Sequence, residues 1–227
     1  MGADEGEVGF GSADLAEAKA RRRRSIAILA REGVPCGEFL PVIEAESMIP
    51  RRADQEVAVR AIALAIVATK AQTRDQEDTR ALIEDFRIGG SFTPKERAFI
   101  DEPQPAQRDC VQLTWRVESV WVLLWALGFI AALGRPDHQA DPQAAIGIIA
   151  ARGRDGFVAQ ARLRPASELL DAADLLYRYH WAVREAQIQG RSPPPNLDPG
   201  VVSEWHYALN WLIGYGDAEW DDVSTDT

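Results

Sequence analysis

The sequence predicts an all-α (mostly α) protein: an irregular multi-helix bundle of about seven to nine helices around a central apolar helix, with at most one short strand or hairpin near residues 39–49. Three observations predict it. Apolar residues recur at spacings of three and four through most of the chain. Several of these runs open on a capping residue followed by proline. No internal repeat, βα alternation or sustained heptad competes with them. The chain has 227 residues, 46% of them hydrophobic and 26% charged. It can therefore bury a sizeable core without disulfides or a structural metal, and its balance is far from that of a disordered chain.

Residues 1–11, with four glycines and three acids, read as a flexible tail. Residues 12–216 read as a single helical domain, and 217–227 as an acidic C-terminal segment docked by Trp220. The first helix should start at Ser12, a good N-cap, and stop at Gly33. Arg21 to Arg24 lie within it. Consecutive helical residues point about 100° apart, so this run reads as a solvated helix surface and not as one basic face.

Pro35, Gly37 and Pro41 force a loop, and Phe39 to Ile49 is the one place where a strand is allowed. From Asp54 onwards Val57, Ala61, Leu64, Ala65 and Ala68 mark an alanine-rich amphipathic helix. Gln76 to Ile88 reads as another, closed by Gly89 and Gly90. Thr93-Pro94-Lys95-Glu96 is a capping box with proline at the first helical position. The stretch 111–133 is expected to be the central helix. Its uncharged core, Ser119 to Gly134, is sixteen residues long, short of the roughly 20 needed to cross a bilayer. Asp141-Pro142 and Asp198-Pro199 open further helices. Between them Pro165 leads a long run that Gly190 halts, and Pro193-Pro194-Pro195 forms a stiff spacer.

A net charge of -10 repels phosphate polyanions, so the reading is no nucleic acid and no membrane. Two cysteines, Cys36 and Cys110, in a chain without a signal-like start suit a reducing, cytoplasmic setting. No GxSxG, phosphate loop, dinucleotide fingerprint or HExxH is present. The reading is no metal and no cofactor.

All seven tryptophans lie after residue 110. They are core, or the wall of a pocket or partner surface. The polar residues set among them are the candidates for chemistry, because buried charges and imidazoles must be paired. His180, His206, Asp174 and Glu204 are candidate acid-base groups. Arg116, Glu118, Tyr177, Arg178, Trp181, Asn210, Trp220 and Asp221 are candidate ligand-binding residues. Asp174 and Arg178 are four apart and can pair along one helical face, as can His206 and Asn210.

Leu123-Leu124-Trp125-Ala126-Leu127-Gly128, Leu175-Leu176-Tyr177-Arg178 with His180-Trp181-Ala182, His206 with Ala208-Leu209-Asn210-Trp211-Leu212, and Trp220-Asp221-Asp222-Val223 together resemble the bacterial domain of unknown function 4272 family. The resemblance implies a mostly helical domain and no particular activity. Where the family pattern tends to read Glu-Arg-His, this chain has Glu204-Trp205-His206.

The leading expectation is a non-catalytic binding or interaction protein whose partner is a small molecule or a protein. One alternative is a hydrolase or transferase with its site between the 166–189 and 199–213 helices. There a carboxylate, Asp174 or Glu204, orients an imidazole. The other is an immunity or accessory protein whose acidic surface meets a basic partner.

Overall fold

The computed structural model describes residues 11–227; the glycine-rich start, residues 1–10, lies outside them. Ten helical segments are present: α1 (Ser12–Glu32), α2 (Asp54–Thr73), α3 (Gln76–Asp85), α4 (Pro94–Asp101), α5 (Gln107–Thr114), α6 (Arg116–Ala126), α7 (Pro142–Ala150), α8 (Gly153–Gln160), α9 (Ala166–Ile188) and α10 (Pro199–Ile213). Trp115, between α5 and α6, has helical angles of its own, φ -63 and ψ -16. The two are therefore one bent helix, and the described residues form nine rods. No strand occurs among the described residues, and 39–49 is a loop with a single 3-10 turn at Glu46–Met48.

The helix signals act through identifiable backbone groups. Asp75 accepts from the amides of Glu77 and Asp78, and Asp141 from that of Gln143. Asp198 accepts from those of Gly200 and Val201. Thr93 and Glu96 close a reciprocal capping box at the start of α4. Each satisfies amides that a helix start leaves without partners. At the end of α1, Gly33 takes the left-handed conformation, φ 69, and the following amide returns to Leu29. The cap at the start of α1 falls on Gly11, with no side-chain bond, and Ser12 is already helical.

The packing runs as a chain of neighbours. α1 lies on α9, α9 on α10, α10 on α6 and α6 on α2, with α3, α4, α5 and α8 ranged around α2. α6 is thus the apolar helix between two others, buried along most of its length. α2 is buried almost all round, as a helix hydrophobic on every side must be. Lys70, fully buried on α2, donates to Gln76 Oε1 (2.5 Å), Ile100 O (2.7 Å) and Glu102 O (2.8 Å). Its ammonium holds α2 to the end of α4, although desolvation lowers its pKa.

Two further expectations need correction. The helix expected over 111–133 stops at Ala126. Gly128 turns left-handed at φ 81, and the amides of Gly128 and Phe129 fold back onto Trp125 and Leu124. From the loop between α8 and α9 Arg164 then captures the carbonyls of Trp125, Ile130 and Ala131 at 2.8–2.9 Å, which holds this stretch as loop. The arginine run of α1 is also not a plain solvated surface. Arg21 falls on the buried face with Ala18, Ser25 and Leu29, where it is bound by Glu17 and by Glu44 O. No helix among the described residues is long and apolar enough to cross a membrane.

Candidate functional site

α10 carries functional side chains to two different places, because neighbouring positions on a helix point about 100° apart. His206 and Asn210 face α9 and the end of the chain, whereas Tyr207 and Trp211 face the start of α4 and Trp220.

On the α9 side the sequence candidates meet. Arg178 and Asp174 are both fully buried and joined twice, Nε to Oδ2 at 3.0 Å and Nη2 to Oδ1 at 2.7 Å. Nη2 also donates to Pro41 O at 3.1 Å, while Nη1 has no partner. Two positions on, His180 Nδ1 lies 2.8 Å from His206 Nδ1, with the rings edge to face. Burial depresses both imidazoles, His180 to about 4 and His206 to about 3. At neutral pH both are uncharged, so one ring donates its N–H to the lone pair of the other. Tyr177 lies beside His206, with ring centroids 5.9 Å apart. His206, Tyr177 and Asn210 line a cavity of about 230 Å³ together with Asp226 and Thr227. Trp181, half-buried, points away to Phe39.

The proposed acid-base arrangement is not assembled here. Asp174 is engaged by Arg178. Glu204 accepts instead from Arg116 Nη1 and Ser119 Oγ, each at 3.0 Å. Neither carboxylate bonds to an imidazole. Glu118 is fully buried and accepts from Ala140 N (2.8 Å) and Trp205 Nε1 (3.0 Å). Burial raises its carboxyl, and the two hydrogen bonds oppose that shift. The indole N–H of Trp205 thus supplies a neutral donor at the position where an arginine would bring charge.

On the other face lies a groove that no local motif announces. Trp220 is 2% exposed and packs edge-on against Tyr207 and Trp211, at centroid separations of 5.2 and 5.3 Å. The Arg60 and Arg116 guanidiniums stand 5.4 and 5.9 Å from its ring centroid, close enough for cation–π attraction. The Tyr207 hydroxyl, its pKa pushed up to about 12 by burial, donates to Trp220 O. Asp221 does not reach the arginines. Its carboxylate accepts from Thr93 Oγ1 (2.8 Å) and Lys95 N (3.1 Å), so it sits at the amino end of α4, and Lys95 Nζ donates to Asp221 O (2.7 Å). Such a helix end attracts negative charge.

Two clefts flank this hook. One, of about 560 Å³, is walled by Phe99, Leu113, Arg116 and Tyr207; the other, of about 950 Å³, by Arg60, Phe92 and Trp211. Lys95, Trp220 and Asp221 line both. Beneath them Arg60 and Glu96 form a buried ion pair of 2.5 Å. Arg60, Lys95, Glu96, Tyr207 and Trp211 were missed as site residues. The capping box at Thr93 was legible, but only as a helix start, and the free amide of Lys95 within it was the signal available. Among the described residues no three His, Cys, Asp or Glu side chains are grouped to hold a metal ion.

The family model described as Domain of unknown function (DUF4272) covers residues 21–223. No curated protein and no solved structure matches.

Proposed function

For a chain that belongs to the DUF4272 family, whose description assigns no activity, we propose a non-catalytic binding role, with the paired clefts at Trp220 as the recognition site. One observation carries this reading: two clefts of about 560 and 950 Å³ are parted by a single buried tryptophan and its neighbouring aspartate. Their walls combine aromatic rings with a few fixed polar groups, the usual make-up of a binding site. The cations there are already engaged, Arg60 by Glu96, Arg116 by Glu204 and Lys95 by Asp221 O. This suits holding a ligand better than activating one.

The acid-base alternative has less support. Its imidazoles are buried against each other and no carboxylate orients them. The reading of a basic partner rests on the net charge alone.

A thermal-shift screen of metabolite and peptide panels on the full chain tests the proposal. A true ligand raises the melting temperature of the wild type and does so much less for Lys95→Glu, an exposed change common to both clefts. A panel that stabilises neither protein, or both equally, removes the groove as the site.

A further inference from the structure

We infer that the groove is a receptor for a short acidic-aromatic peptide, a tryptophan followed by an aspartate, and that Trp220 and Asp221 of the chain's own C-terminal segment fill it in cis until a protein partner carrying the same chemistry displaces them. The inference rests on the reading of this groove as a binding site and names its ligand.

The first support is that the wall matches those two residues group by group. The indole lies against two aromatic edges with two guanidiniums near its ring. The carboxylate takes the hydroxyl of Thr93 and a free amide at the start of an eight-residue helix, and both backbone carbonyls are received, by Tyr207 and Lys95. This is the form of a peptide-recognition site, where an aromatic anchor and a fixed carboxylate seat define a motif.

The second is that the segment leaves α10 through a turn of residues with left-handed backbone. Gly214, Gly216 and Asp217 all have positive φ, at 69, 66 and 52. A Cβ on Gly214 would lie 2.4 Å from Pro50, so the backbone must be glycine at that point. Beyond the hook, side-chain bonds to the segment run from Asn210 Nδ2 to Ser224 O (2.8 Å) and from Arg52 Nη2 to Ala218 O (3.2 Å).

The third is that the cis occupant leaves the site unsatisfied. Trp220 Nε1, Trp211 Nε1, Arg60 Nε and Glu96 Oε1 are all buried without a hydrogen-bond partner, on residues 2–7% exposed. Unpaired buried polar groups weaken the docked state. With open volume on both sides of the hook, a longer peptide can bring polar groups that the tail lacks.

The test uses the full chain with its hook disabled, Trp220→Ala with Asp221→Ala, and a fluorescein-labelled peptide of residues 217–227 followed by anisotropy. Salt near 0.15 M screens the repulsion between two acidic partners. The peptide should bind the disabled chain saturably and the wild type at least tenfold more weakly, because the tethered tail competes at high effective concentration. A peptide with alanine for its tryptophan should not bind. Absence of saturable binding to a disabled chain that is folded by circular dichroism overturns the inference, as does equal binding of the alanine peptide.

If the disabled chain does not fold, hydrogen exchange on the wild type decides. Residues 215–227 opening together well before α10 supports a displaceable tail, and opening only with global unfolding overturns it. A small ligand found in the thermal screen while the peptide fails would remove this inference and leave the binding role standing.

Discussion

Around His180 and His206 the charged and imidazole groups are paired inside the protein, Asp174 with Arg178 and ring with ring. Around Trp220 comparable residue types, a carboxylate, two guanidiniums and aromatic rings, border open clefts. The two regions stand on adjoining faces of one helix, α10, about 100° apart. What separates them is the room beside them, about 230 Å³ against about 560 and 950 Å³, and the difference teaches that a polar residue's neighbours matter more than its type. The histidines, Asp174 and Arg178, which look most chemical in the sequence, pair with one another in the interior, and the clefts are bordered by Trp220, Asp221 and Arg116 together with residues whose individual signals are bland.

The comparison breaks first if the interior ion pair proves dispensable. Asp174→Asn leaves the Arg178 guanidinium buried without a counter-charge, which should cost about 3–5 kcal/mol. Urea denaturation measures it, and a cost under about 1 kcal/mol would mean that this interior is wetter than described.

Acid should find the same region next. Both imidazoles titrate lower in the folded chain, at about 4 and about 3, than the ordinary 6.5, so the unfolded chain takes up protons first as pH falls. The stability these rings confer is fully present above about 6.5 and is lost as pH falls towards the folded values. The loss is about 1.4 kcal/mol per pH unit for each ring, or roughly 2–3 kcal/mol by pH 5.5. Denaturation curves from pH 7.5 to 5 check it. His206→Gln should flatten that limb, whereas Tyr207→Phe, one position along on the groove face, should leave it unchanged.

Trp220→Ala sharpens the contrast from the other side. A tryptophan removed from a rigid core costs about 3–5 kcal/mol. Here the segment can leave with its side chain, so we expect about 1–2 kcal/mol globally, with hydrogen-exchange protection lost over 215–227 and kept at α9. Smallest is Asp198→Ala. Loss of this cap should cost about 1 kcal/mol, and because α10 serves both regions it should raise exchange at His206 and Tyr207 alike.

Much of the fold was legible because helix ends are local events. Gly33, Thr93-Pro94, Asp141-Pro142 and Asp198-Pro199 mark boundaries by chemistry confined to a few residues. The end of α6 has a local mark in Gly128, but the loop beyond it does not, since it is held by Arg164 reaching back to carbonyls more than thirty residues earlier. The pairing of Asp174 with Arg178 could be read from a spacing of four. The meeting of Thr93 with Asp221, 128 positions apart, could not. Nor does any sequence spacing show that Arg60, on an alanine-rich buried helix, reaches the same cleft as Tyr207.

That α10 divides its faces between two compartments makes its reading frame as consequential as its composition. One residue inserted near Val202 would rotate everything beyond it by about 100°. Tyr207 and Trp211 would be swung off the groove, and His206 and Asn210 off the interior, in a single event. Length variation among relatives should therefore accumulate in the connections around this helix, such as 134–141 and 189–197, and be absent from within it.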